Sequence, residues 1–199
     1  MNLNESTSPP ARSKSEPRAA RAPGVAELAI VIPTLNEREN VAPLLARLAA
    51  VLAGIAWEAI FVDDDSTDGT REAVREIARR DPRVRVIHRI GRRGLSSACI
   101  EGALASAAPY LAVIDADLQH DEALLPRMFH ALKSEPLDIV VGSRHVAGGG
   151  FGGLSEQRQR VSNVATRLSR YILKAELADP MSGFFMIRRD AFERAVRGL

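Results

Sequence analysis

From Glu27 onward the chain repeats one pattern of hydrophobic and polar positions: a short apolar run, a polar turn, then a longer stretch with apolar residues at helical spacing. Leu28 to Ile32 reads as a buried strand stopped by Pro33, and Asn40 to Leu52 as the helix that follows. Ala59 to Val62 is the second strand, and the helix after it begins near Thr70 and ends near Arg79. Val84 to His88 is a third strand, Ser96 to Ala107 a helix of small residues, and Tyr110 to Ile114 a fourth strand. Glu122 to Leu132 is a helix, Ile139 to Val141 a fifth strand, and Phe184 to Ile187 a short apolar run before a last helix starting near Asp190. Strands alternating with helices in short units predict an α/β fold, a mostly parallel sheet covered by helices on both faces.

In such sheets ligands bind outside the carboxyl ends of the strands. The polar turns at Asn36-Glu37, Asp63 to Asp68 and Asp115 to Gln119 all follow strands, so they are predicted to lie along one edge.

The last of these turns carries the most chemistry. Tyr110 to Ile114 runs straight into Asp115-Ala116-Asp117-Leu118-Gln119-His120. In extended backbone alternate side chains share a face, so Asp115, Asp117 and Gln119 would present three oxygen-bearing groups to one point. Magnesium or manganese suits such a point, because it is held by one or two carboxylates and keeps positions open for substrate phosphates. The competing reading is a solvated strand end, since Asp is common where a strand becomes a loop.

Composition narrows the function classes. The 199 residues fit one domain large enough to bury a substantial core. Net charge is +2, and residues 1–24 hold four basic residues (Arg12, Lys14, Arg18, Arg21) against two acidic ones, which leaves 23 of each sign in the remainder. A neutral domain with few aromatics has no electrostatic footprint for nucleic acid. Residues 1–24, rich in Ser, Pro, Ala and Arg, read as a disordered basic tail, and 25–199 as the folded domain. Cys99 is the only cysteine, so the chain forms no internal disulfide and shows no cysteine-histidine zinc pattern. No run of 18 apolar residues is present, so the expected location is the cytoplasm, with at most peripheral attachment to a membrane.

Gly142-Ser143-Arg144-His145 leads into a glycine-rich loop over 148–153, read as a mobile lid or a linker. A helix over about 156–173 follows, on which Arg158 and Ser162 share a face and can clamp one anion together. His120 and His145 stand near these motifs but read as structural or solvated, with no convincing histidine-carboxylate pair.

Val31-Ile32-Pro33-Thr34-Leu35-Asn36-Glu37-Arg38-Glu39-Asn40, Val62 to Thr70, Asp115 to His120, Gly142-Ser143-Arg144 and Asp179 to Phe184 together resemble the family 2 glycosyltransferases. Within that group they look like the dolichol-phosphate mannose synthases and their bacterial polyprenol-phosphate relatives. Five ordered motifs over about residues 28–187 make the likeness specific.

The resemblance implies a GT-A type nucleotide-sugar-binding fold. It also implies an inverting transfer of a hexose, in the first place mannose from GDP-mannose, to a polyprenyl or dolichyl phosphate at the cytoplasmic face of a membrane. Glucosyl or amino-sugar transfer to undecaprenyl phosphate, or a non-catalytic nucleotide-sugar-binding fragment, are the alternatives. Carried over residue by residue, Pro33, Leu35, Glu37, Val62 and Asp64 would line the nucleotide pocket, with Ala116 beside the sugar nucleotide. Asp115, Asp117 and Gln119 would hold the divalent metal and donor diphosphate, and Arg144, Arg158 and Ser162 would hold phosphates. Asp117, Arg144 and Arg158 are then the catalytic set.

Asp121 departs from the relatives' usual proline, and Met181 from their usual threonine. The relatives continue beyond the position of Leu199, so the catalytic domain reads as truncated at its C-terminus, completed by a missing segment or a membrane-anchoring partner.

Overall fold

The structure, a computed structural model, describes residues 25–142 and 183–197. The basic tail, the glycine-rich loop, the helix expected over 156–173 and the turn from Asp179 to Ser182 lie outside the described residues. So do His145 and three of the candidate site residues, Arg144, Arg158 and Ser162.

Six strands, β1 (Leu28–Thr34), β2 (Trp57–Asp63), β3 (Val84–His88), β4 (Tyr110–Val113), β5 (Ile139–Val141) and β6 (Phe185–Arg188), form one sheet in the order β3-β2-β1-β4-β6-β5. β1 pairs parallel with β2 and with β4, and β2 with β3, whereas β6 runs antiparallel to both of its neighbours. The sheet is therefore mixed but mainly parallel. Chain order reverses direction between β1 and β4, which makes their carboxyl ends the topological switch point where α/β sheets bind ligands.

β1 continues through Pro33 to Thr34 instead of stopping at the proline. Val31 accepts from Ile114 N on the β4 side, and Pro33, two residues on, faces the same way. β4 has ended by then, so the missing N–H leaves no rung unmade, which is the condition for proline inside a strand.

Among the described residues five helices flank the sheet: α1 (Arg38–Val51), α2 (Thr70–Ala78), α3 (Leu95–Leu104), α4 (Leu125–Ser134) and α5 (Arg189–Val196). Alternation along the strands sorts the core. Leu28, Ile30 and Ile32 of β1 pack with Leu44 and Leu48 of α1 and with Phe129 and Leu132 of α4. Ala29 and Val31 face the other way, with Ala98 of α3 and Phe192 of α5. On that second face α3 sits close to the sheet. A Cβ at Gly102 would lie 2.4 Å from Val31 Cγ1 and 2.9 Å from Val62 Cγ2, so glycine sets the helix-to-sheet distance.

Candidate functional site

Parallel pairing brings the turns after β1, β2 and β4 to one edge, and that edge is where non-glycine backbone enters the left-handed region. Asn36, Asp65 and Leu118, one in each turn, have φ of 58°, 63° and 59°. Such conformations persist only when surrounding contacts over-determine them, and they cluster at functional sites.

The contacts in the first two turns are on display. Asn36 N donates to Ser66 Oγ at 2.8 Å and Thr67 N donates back to Asn36 Oδ1 at 3.0 Å. Glu37 N donates to Thr70 Oγ1 at 2.9 Å, and Arg38 N to Asp68 Oδ2 at 3.0 Å. Asp68 Oδ1 accepts from both N and Oγ1 of Thr70, at 2.9 and 2.6 Å, and so satisfies the first N–H of α2. Two loops distant in sequence thus behave as one platform.

Asp64 projects from the end of β2 toward the β3–α3 loop, where both of its oxygens are engaged. Oδ1 accepts from Arg89 Nη1 at 2.6 Å and Oδ2 from Gly94 N at 2.7 Å. Arg89 is buried and also donates to Gly94 O at 3.0 Å and to Ser97 Oγ. Asp64 therefore fixes the loop that flanks the edge, a role that sequence reasoning did not assign to it. A neighbouring pair acts likewise: the His88 ring, with Gly91 N, holds the Asp65 carboxyl below its usual range.

On the β4 side the backbone differs from the extended arrangement expected over Asp115 to Gln119. The strand ends at Val113, residues 116 and 117 turn, and Gln119 N donates to Asp117 Oδ1 at 3.1 Å. Gln119 is exposed while Asp115 and Asp117 are half-buried, so alternation along a strand is not what relates the three. Ala116 is buried beside them. Asp121, at the departure from proline, accepts from Ala123 N at 3.1 Å and caps the short 3-10 turn that leads into α4.

The two sides of the switch point sense each other. Burial raises the Glu37 carboxyl above its ordinary value of 4.5; Asn40 Nδ2, donating at 2.6 Å, opposes this, and the charges of Asp117, Asp115 and Asp68 reinforce it. Acidic groups from β1 and β4 thus converge on one volume. Among the described residues no group of three or more His, Cys, Asp or Glu side chains is placed to hold a metal ion by itself. The carboxylates present here, Asp115 and Asp117 among them, are hard oxygen donors of the type that magnesium and manganese take.

The remaining nucleotide-pocket candidates differ in exposure. Leu35 is 40% exposed and Pro33 half-buried, whereas Val62 is fully buried in the core beneath α3. Any approach to Val62 is to its backbone, whose carbonyl accepts from Thr34 Oγ1 at 3.4 Å.

His120 is the residue that sequence reading passed over. It is buried, its Nε2 lies 3.2 Å from Asp115 Oδ2, and its ring packs on Phe184 with centroids 5.3 Å apart. The histidine-carboxylate pair not found in the sequence therefore exists. Five residues separate the partners, and only the reversal at Leu118 brings them together, so no spacing rule announces the pair.

Comparison with known proteins fits this geometry. Solved structures of similar fold include a mannosyltransferase from Pyrobaculum calidifontis in complex with GDP-Man and Mn2+, at TM-score 0.58 and 20% identity, covering 85% of this chain and 46% of that one. Another is glucosyl-3-phosphoglycerate synthase from Mycobacterium tuberculosis, at TM-score 0.57 and 19% identity, covering 83% of this chain and 57% of that one. These likenesses establish a GT-A-like fold. The chain is 38% identical over 169 residues to a dolichol-phosphate mannosyltransferase of Pyrococcus furiosus, covering 84% of this chain and 47% of that protein. It is 35% identical over 171 residues to the dolichol-phosphate mannosyltransferase of Saccharomyces cerevisiae, covering 84% and 62% respectively. The chain thus spans about half to three-fifths of the length of these relatives. The family model described as "Glycosyl transferase family 2" matches residues 29–195, well over half of the chain, and on that match this protein belongs to glycosyl transferase family 2.

Proposed function

We propose that this chain binds a nucleotide sugar at the switch point between β1 and β4 and transfers the sugar to a phosphate-bearing acceptor. The observation that carries the reading is the meeting of the turns after β1, β2 and β4 at one edge of the sheet, with the charges of Asp115 and Asp117 felt by Glu37 across the switch point. An acidic volume at the carboxyl edge of an α/β sheet suits a divalent cation with a nucleoside diphosphate on it.

When bound, the cation offsets the charge that grows on the diphosphate as the glycosidic bond breaks. The chain's own part is to orient: Asp115 and Asp117 would hold the cation, with Gln119 near it, while the Asn36–Ser66 and Glu37–Thr70 bonds fix the nucleotide side of the pocket. A phosphate monoester, with second pKa about 6, is already largely dianionic at neutral pH, so attack needs no strong general base. Arg144, Arg158 and Ser162, outside the described residues, are the groups proposed to hold its phosphate.

The finer version has GDP-mannose as donor and dolichyl or another polyprenyl phosphate as acceptor; curated relatives named dolichol-phosphate mannosyltransferases support mannose and dolichyl phosphate, and a mannosyltransferase of similar fold solved with GDP-Man supports the donor. That acceptor would bring the protein to the cytoplasmic face of a membrane as a peripheral protein. Among the described residues no helix is long and apolar enough to cross one. Glucosyl or amino-sugar transfer is the competing specificity. Donor binding without transfer is the second reading.

A donor panel tests these together. GDP-mannose, UDP-glucose and an amino-sugar nucleotide are titrated in manganese, and release of nucleotide is followed with and without a short-chain polyprenyl phosphate. Acceptor-dependent release from one donor supports transfer and names the sugar, while binding without release supports the second reading. Absence of metal-dependent binding by any donor overturns the proposal.

A further inference from the structure

We infer that His120 is a positioning residue for Asp115, holding its carboxylate in one orientation toward the divalent cation of the donor complex; this rests on the function proposed above. Asp115 stands half-buried between the end of β4 and the turn at 116 and 117, where its carboxylate meets a built surround. His120 Nε2 stands 3.2 Å from Oδ2, and because an ionised carboxylate only accepts, that nitrogen is the donor of the pair.

Phe184 then fixes the imidazole, its ring tilted 35° against it and almost fully buried. Gly142, at the end of β5, backs the phenyl ring so closely that a Cβ there would lie 2.3 Å from Phe184 Cδ1. Gly183 closes the other side: a Cβ would lie 2.7 Å from Asp115 Oδ2, so the backbone itself abuts the carboxylate. Gly142 N donates to Phe184 O at 2.9 Å and ties the two flanking pieces together.

The cradle thus runs from the end of β5 through the residues just before β6 to a candidate metal ligand just after β4. Burial of a histidine is explained by packing alone, but packing does not require its ring nitrogen to meet the carboxylate that the site depends on. Carboxylates that bind metals are themselves hydrogen-bonded, and removing such an outer partner weakens the metal by about 10- to 100-fold.

The test uses the full chain, with manganese affinity read from free Mn2+ by electron paramagnetic resonance in the presence of GDP or UDP, and thermal unfolding run beside it. His120→Ala is expected to weaken Mn2+ about tenfold or more, and His120→Gln, which restores a donor, to recover most of the loss. In an Asp115→Ala background the His120→Ala change should have no further effect. Unchanged Mn2+ affinity in His120→Ala, with or without a lower melting temperature, overturns the inference. Should His120→Ala not fold, His120→Leu, which fills the space without a donor, and Gly142→Ala, which displaces Phe184, are read in the same assay, and unchanged affinity in both overturns it equally. If Asp115→Ala itself leaves Mn2+ affinity intact, the metal assignment underlying the proposed function fails, and that outcome is distinct from failure of His120 alone.

Discussion

Arg89 Nη1 donates to Asp64 Oδ1 over 2.6 Å, with the two side chains 2% and 12% exposed, so the ends of β3 and β2 are joined by an ion pair sealed from water. Removing one member of such a pair leaves an uncompensated buried charge. Arg89→Met is therefore expected to cost about 3–5 kcal/mol in urea unfolding. Replacing both partners with Arg89→Met and Asp64→Leu should recover much of that loss, and failure to recover it would mean that the bond from Gly94 N is the larger part of Asp64's role.

Gly102→Ala is expected to destabilise despite alanine's better helix propensity. The new methyl meets Val31 Cγ1 at 2.4 Å, a contact that forces α3 outward, and overpacking of this kind costs about 1–3 kcal/mol. The propensity gain of about 1 kcal/mol offsets part of it. Adding Val31→Ala should restore stability in chemical denaturation if contact with that side chain is the cause.

Asp117→Ala is expected to abolish metal-dependent donor binding while changing unfolding free energy by no more than about 0.5 kcal/mol, because the carboxylate is only half-buried. Isothermal titration with nucleotide sugar in manganese, beside a denaturant curve, checks both halves.

The Glu37 carboxyl sets a pH dependence. Its pKa is raised above 4.5 in the folded chain, first by burial, so the folded state binds this proton more tightly than the unfolded one. Its contribution to stability is then greatest below 4.5 and is lost as pH climbs through the raised value. A cation at Asp115 and Asp117 favours the ionised form, so manganese binding should expel a proton over the same window and tighten as pH rises through it. Glu37→Gln is expected to flatten both profiles, read by calorimetry in buffers of different ionisation enthalpy.

Cys99 should resist alkylation. Burial pushes its thiol up to about 12, with the charges of Asp115 and Asp64 adding to the shift. At pH 8 only about one molecule in ten thousand carries the thiolate, which is the reactive form. Iodoacetamide labelling of the native chain is expected to be at least about a hundredfold slower than in urea.

Periodicity carried most of the fold. The strand Val84–His88 and the strand Ile139–Val141 stand where their apolar runs end, and α1 and α2 begin within two residues of expectation, because each has one apolar face to bury. β6 was visible only as the apolar run from Phe184, since antiparallel insertion between β4 and β5 is a matter of long-range pairing. The site was legible as a set of turns on one edge. It was not legible as contacts: Asp64 meeting Arg89, and His120 meeting Asp115, depend on where a turn reverses, and the alternation expected over Asp115 to Gln119 failed at Leu118.

The left-handed backbone at Leu118 has an evolutionary corollary. Asparagine and aspartate, as at positions 36 and 65, tolerate that conformation, but for leucine it costs about 1–2 kcal/mol. Its side chain packs against the core, which offsets that cost, so a library selected only for heat tolerance should hold a large apolar residue at 118 rather than drift to glycine.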